Sequence, residues 1–262
     1  MNDDCQKFIH RIGVIIFSLS IFLSTAVFAN PLADQNLQKG DQYYVKHDNR
    51  KALESYMQAY AINPTQYEAL MKLTRAYNDI GEDLNNNQSK EYYEKAVRYA
   101  ELLQRQFPKK AEPYYLLSAS YGNLALFRGG KEKVKLSRKV ENNAKKAIEL
   151  DPDYGLAYMV LGVYYREVAN LNWVLKAFAK TFLGGLPEGT NQDSESMFVK
   201  ALHLKPDSIF AHYELGLTYE KMKNKQKAIE YYKKTMALPL SDHNDKLKVQ
   251  QAQLRLNQLR QP

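Results

Sequence analysis

Histidine, cysteine and clustered acidic residues are where chemistry would start, and this chain spaces them badly for it. Beyond residue 29 the histidines are His47, His203, His212 and His243, far apart and never in an H-E-x-x-H arrangement. The single cysteine is Cys5, so a chain starting at Asn30 has no thiol nucleophile, thiolate metal site or disulfide. No G-x-S-x-G elbow, P-loop or dinucleotide glycine motif occurs. Neither catalysis nor a metal or cofactor is expected. His212 reads as structural, His203 and His243 as exposed.

What remains is non-covalent recognition. The chain carries 20 Tyr against 10 Phe and one Trp, so its aromatic surface is mostly of the kind that also hydrogen-bonds. The candidate contact residues are Tyr44, Met71, Arg75, Asn78, Tyr115, Asn123, Met159, Arg166, Glu167, Tyr213 and Glu220. Tyr and Met offer adaptable apolar area, and Arg and Asn can bond carboxylates or amides. That mixture suits an extended peptide or an acyl chain.

These residues share a face only if the chain folds as a repeat. Asn63-Pro64, Phe107-Pro108, Asp151-Pro152 and Lys205-Pro206 each close a helix-like apolar pattern, at intervals of 44, 44 and 54 residues. Before Pro64 stand Gly40, Tyr43, Ala52, Tyr56 and Ala59; near the other end stand Leu215, Gly216, Tyr219, Ala228 and Tyr232. Leu73, Tyr77, Ala96 and Ala100 mark a second unit, and Leu117, Tyr121, Ala144 and Ala147 a third. Leu161, Gly162, Tyr165, Phe198 and Ala201 mark a fourth. This order of small residue, aromatic, alanine, aromatic and proline resembles the tetratricopeptide repeat.

The fold expected is an all-α, right-handed solenoid of about five helix pairs, at 33–66, 67–110, 111–154, 155–208 and 209–241. A capping helix follows at 242–260, with apolar Leu247, Val249, Leu254, Leu256 and Leu259 among polar residues. The small residues are expected to let paired backbones approach closely, and the tyrosines to fill the spaces between pairs. The contact residues above then lie on the first helices, facing the concave side.

Residues 1–29 read as an address. Lys7 and Arg11 precede an apolar run from Ile12 to Phe28, and Val27-Phe28-Ala29 suits signal peptidase. The expectation is a cleaved signal peptide and a periplasmic chain from Asn30 to Pro262; the alternative is an uncleaved N-terminal anchor. No second apolar stretch is long enough to span a bilayer.

The fourth unit departs most from a plain repeat. Leu171, Trp173, Val174, Leu175, Phe178 and Phe182 recur at helical spacing within an inserted segment, 168–184, before the turn Gly184-Gly185-Leu186-Pro187. It either packs against the solenoid or covers the groove, as a lid or an amphipathic contact to a membrane or partner helix. The block Glu167-Val168-Ala169, Trp173 and Phe182-Leu183-Gly184 resembles the regulator of microtubule dynamics family, over roughly 113–259. The resemblance implies a tetratricopeptide-like domain with adaptor or lipid-cavity behaviour; tubulin binding is not carried over to an exported chain.

The net charge of +8 gathers in two runs. One includes Arg128, Lys131, Lys133, Lys135, Arg138, Lys139, Lys145 and Lys146; the other spans Lys221 to Lys234. They read as solvated faces, or as surfaces for anionic lipid or acidic partners. Nucleic acid is not expected. The leading expectation is a scaffold holding a protein, a peptide or its own copies in the concave face. The alternatives are a carrier of lipid or another small hydrophobic ligand, and an accessory subunit of a solute transport system.

Overall fold

Four turns of one geometry set the register of the molecule. Asn63, Phe107, Asp151 and Lys205 each end a helix, and each is followed by proline. The amide three residues on then donates back to the carbonyl: Gln66 to Asn63 (3.2 Å), Lys110 to Phe107 (3.2 Å), Tyr154 to Asp151 (3.1 Å), Ser208 to Lys205 (3.3 Å). Proline at the second position of such a turn has its φ pre-set and no amide to leave unpaired.

The computed structural model describes residues 30–84, 87–172, 176–177, 180–181, 189–241 and 244–260, with backbone alone at 130–131. The expected leader, Trp173, Phe178 and Phe182 lie outside the described residues, with 173–175, 178–179 and 182–184 of the 168–184 segment. The eleven helices among the described residues pack as sequential pairs. They are α1 (Pro31–Val45) with α2 (Asn49–Ile62), α3 (Tyr67–Leu84) with α4 (Ser89–Gln106), and α5 (Ala111–Ala125) with α6 (Gly130–Leu150). Then come α7 (Gly155–Ala169) with α8 (Asn191–Leu204), α9 (Ile209–Lys221) with α10 (Lys225–Ala237), and a final α11 (Asp245–Arg260).

Local sequence explains the helix ends. Asn30, Asp48, Ser208 and Asn224 accept from amides of the first turn of α1, α2, α9 and α10, and Thr190 and Asp193 form a reciprocal capping box on α8. The first and last pairs share one internal turn. His47 and Lys223 take left-handed backbone (φ 61° and 60°), and the Asp48 and Asn224 amides donate back to Tyr43 and Tyr219. That closure ends one helix and places the next cap.

Glycine does something other than the backbone approach expected of it. Gly40, Gly162 and Gly216 lie under the rings of Tyr56, Phe198 and Tyr232, each from the second helix of the same pair. A Cβ on Gly162 would stand 2.7 Å from the Phe198 ring, and one on Gly216 2.6 Å from Tyr232. These aromatic rings therefore fill the inside of pairs rather than the spaces between them. Phe198 and Tyr232 have no exposed surface, and burying such a ring contributes about 2–3 kcal/mol.

Between pairs the core is continuous. One apolar cluster joins the first two pairs around Leu73, Tyr77 and Ile80, a second runs from Tyr93 to Val168, and a third joins the fourth and fifth pairs to α11. The cap is less regular than expected. Ala252 and Leu256 are buried against α9 and α10, whereas Leu247 and Leu254 are 42% and 63% exposed.

Candidate functional site: the inner groove

The first helices α3, α5, α7 and α9 are consecutive neighbours along the inner side of the stack. Between them lies a groove of about 760 Å³, floored by Ala119, Gly122 and Asn123 of α5. A space of that size falls in the range of pockets that take small molecules or short chain segments.

One wall is polar and tightly organised. Arg75 Nη2 meets Glu112 Oε1 at 2.6 Å, and the Tyr67 hydroxyl donates to Glu112 Oε2 at 2.7 Å. Burial opposes the Arg75 charge, but Glu112 overcomes it and holds the pKa above the ordinary arginine value. Burial, reinforced by the bond to Glu112, raises the Tyr67 pKa. Next to this pair, Asn78 Nδ2 donates to Ser120 Oγ (2.9 Å), and Asn123 Nδ2 donates to Asn78 Oδ1 (3.1 Å). The amides of two successive repeats are thereby locked in one orientation.

The opposite wall, from α7, is apolar: Leu156, Met159, Val160 and Val163 face the groove, with Glu167 and Leu171 at its end. An interior with one apolar wall and a few fixed amides fits a chain whose backbone needs partners and whose side chains need burial.

Of the residues projected from the repeat register, Arg75, Asn78, Tyr115, Asn123, Met159 and Glu167 come together here, with Leu171 from the inserted segment. Tyr44 packs against the first core cluster, and Met71 beside Leu70 and Leu103. Tyr213 is buried beside Tyr232, and Glu220 accepts from the Tyr232 hydroxyl. Arg166 is 5% exposed; its Nη2 lies 2.6 Å from Glu214 Oε2, and Nη1 donates to the Glu214 carbonyl at 3.0 Å. It ties α7 to α9 instead of facing the groove. Losing one partner of such a pair costs about 3–5 kcal/mol.

The register missed Lys133 and Ser137, which α6 brings to the groove, and Asp79, Glu82, Asn244 and Lys248 at its edge. The 21-residue length of α6 is the sequence feature that would have pointed to the first two. The second basic run is solvated, with Lys221, Lys223, Lys225, Lys227, Lys233 and Lys234 all exposed. Lys227 and Lys234 lie over the rings of Tyr219 and Tyr231. His212 has a structural place: its Nε2 bonds the Pro206 carbonyl at 2.9 Å, as the Tyr114 and Tyr158 hydroxyls bond Pro108 and Pro152. Among the described residues no group of three His, Cys, Asp or Glu could hold a metal ion, and no helix is long and apolar enough to cross a membrane.

Sequential helix pairs, proline turns and an inner groove define a tetratricopeptide-type helical-repeat protein. Solved structures agree on the fold. A thermophilic TPR protein of Thermus thermophilus superposes with a TM-score of 0.64 at 21% identity, covering 85% of this chain and 99% of that one. PilW, a widely conserved type IV pilus biogenesis factor, superposes with a TM-score of 0.53 at 18% identity, covering 88% and 90%. The family described as regulator of microtubule dynamics protein 1-3 matches residues 36–260, and the chain belongs to it. The match reaches well beyond the 113–259 expected from the inserted block.

Regulator of microtubule dynamics protein 2 of Macaca fascicularis is 26% identical over 181 residues, 68% of this chain. This chain spans only 44% of that relative's length. Regulator of microtubule dynamics protein 1 of Mus musculus is 24% identical over 237 residues, covering 88% of this chain and 76% of its own.

Proposed function

We propose that this protein is a non-catalytic binding module that holds an extended segment of a protein partner in its inner groove. The observation that carries this reading is the pairing of the fixed Asn78–Asn123 amides with the apolar α7 wall across one continuous space. Asn78 spends both its N–H groups on Thr74 and Ser120 and so orients Asn123. The second N–H and the amide oxygen of Asn123 supply backbone partners, and Met159, Val160 and Val163 bury alternate side chains. Export by the 1–29 leader to a periplasm, and self-association, belong to the same proposal; cell fractionation with N-terminal sequencing tests the first.

A second reading rests on the α7 wall alone. Leu156, Met159, Val160 and Val163 form an apolar strip that suits an acyl chain or another small hydrophobic ligand.

Native mass spectrometry of protein purified gently from its own cells separates the two. The protein reading expects a co-purifying polypeptide or a second copy, lost in Val163→Asp while helicity is kept. A lipid-sized adduct lost in the same variant replaces it with the carrier reading. Partner retention unchanged by Val163→Asp contradicts both.

A further inference from the structure

Each repeat is joined to the next by apolar packing and polar ties, but among the described residues one contact joins repeats that are not neighbours in the stack. Glu82, in the last turn of α3, meets the first turn of α11 across the edge of the groove. Lys248 Nζ lies 3.3 Å from Glu82 Oε1, and Asn244 Nδ2 donates to Glu82 Oε2 at 2.9 Å. The partners are 166 and 162 residues apart. The final helix thus reaches past three helix pairs to touch the second.

No apolar core cluster spans this contact among the described residues. The α3 core residues belong to the cluster of the first two pairs, and those of α11 to the cluster of the last two. Lys248 is instead set from its own side, with Nζ 5.6 Å from the Phe210 ring centre and 5.8 Å from that of Tyr213. The α11 start is fixed there too, by the Ser241 amide and hydroxyl on Asp245 Oδ2. One carboxylate with two donors holds the edge, and it is 38% exposed, within reach of salt.

We propose that α11 is an electrostatic latch: Glu82, gripped by Lys248 and Asn244, closes the open side of the groove and releases it when the charges are screened or displaced. A segment threading the groove sideways must part this seam. The inference concerns the empty protein and does not depend on what the groove holds, so its failure would leave the binding proposal untouched.

The experiment measures the seam by electron spin resonance distances in the full chain. Cys5→Ser removes the one native thiol, and Asn87→Cys and Gln250→Cys place labels at exposed positions on either side. The expected result at about 0.01 M salt is one narrow distance distribution. At about 1 M, where screening shortens from roughly 30 Å to roughly 3 Å, it shifts longer and broadens. Glu82→Lys and Lys248→Glu each lose the narrow peak at low salt, and the double exchange restores it. Single reversals that keep the narrow peak overturn the proposal, as does a double exchange that fails to restore it. So does loss of helicity by circular dichroism in either single variant, since a latch can open without unfolding the stack.

Discussion

The fourth and fifth pairs and the third pair solve one packing problem in opposite ways. Where Leu161 and Leu215 are followed by Gly162 and Gly216, the facing helix sends in a whole ring, Phe198 or Tyr232. Where Leu117 is followed by Ser118, no ring arrives. The Ser118 hydroxyl instead bonds the Val140 carbonyl of the facing helix at 2.7 Å, so the backbones themselves come close. Ala144 stands eight residues before Pro152, where Phe198 stands eight before Pro206. Volume is exchanged between partners, and the pair survives either way because close packing constrains the sum rather than the residue.

Substitutions that break this exchange should have the largest effects. Gly216→Val puts side-chain atoms where Tyr232 already sits and should destabilise by about 3 kcal/mol in denaturant titration, since overpacking a fixed ring leaves no room to relax. A Gly216→Val protein as stable as the parent would show that the ring moves freely.

The buried tyrosines should also make the fold alkaline-sensitive. Burial first, and then the bonded Asp41 and Glu220, raise the Tyr56 and Tyr232 pKa values above the ordinary 10.0. Tyr77 is pushed up to about 12, by burial and then by Tyr99. The folded chain keeps protons that the unfolded chain releases. Stability is therefore complete below pH 10 and is lost as pH rises towards the folded values. Ionisation of the last, buried tyrosines should coincide with loss of helicity; complete tyrosine ionisation in a fully helical protein would contradict the assignment.

Ser118→Ala tests the other solution. It removes one hydroxyl and leaves the Val140 carbonyl without that donor, an expected cost of about 1 kcal/mol by thermal or denaturant unfolding. A cost near that of Gly216→Val would mean that the hydroxyl does more than bridge two backbones.

The smallest effect is expected at His212. Tyr114 and Tyr158 make its bond to the turn carbonyl in two other repeats, so His212→Tyr should stay within about 0.5 kcal/mol of the parent. Burial lowers the His212 pKa, so the parent should also lose a little stability as pH falls below 6.5, a slope absent from the tyrosine variant. Equal slopes would contradict the structural role.

The repeat was legible because its signals are local. Each proline turn needs only four consecutive residues, and a helix pair shows as apolar periodicity in one stretch. The inner face was legible in part. Arg75, Asn78, Asn123 and Met159 follow from helix register, which projects side chains from the first helix of each pair. Arg166 broke that projection because its charge found Glu214 in the next repeat and turned inward. Lys133 entered the groove from a second helix, which no register of first helices reports. The contact of Glu82 with Lys248 was out of reach, since it depends on how far the stack curves, a sum of small rotations along the whole chain. The same holds for the rings over Gly162 and Gly216. Their residue types were plain, but which partner they faced was decided by packing inside the pair.

The groove reading is tested most directly by site-specific photocrosslinking in the cells that make the protein. A photoreactive residue at Ala119, on the groove floor, is compared with one at Arg98, exposed on α4. The expected result is a discrete crosslinked polypeptide from Ala119 alone, abolished by Val163→Asp with helicity intact. The same products from both positions, or a product from Ala119 that survives Val163→Asp, would contradict the claim that this groove is where the protein binds.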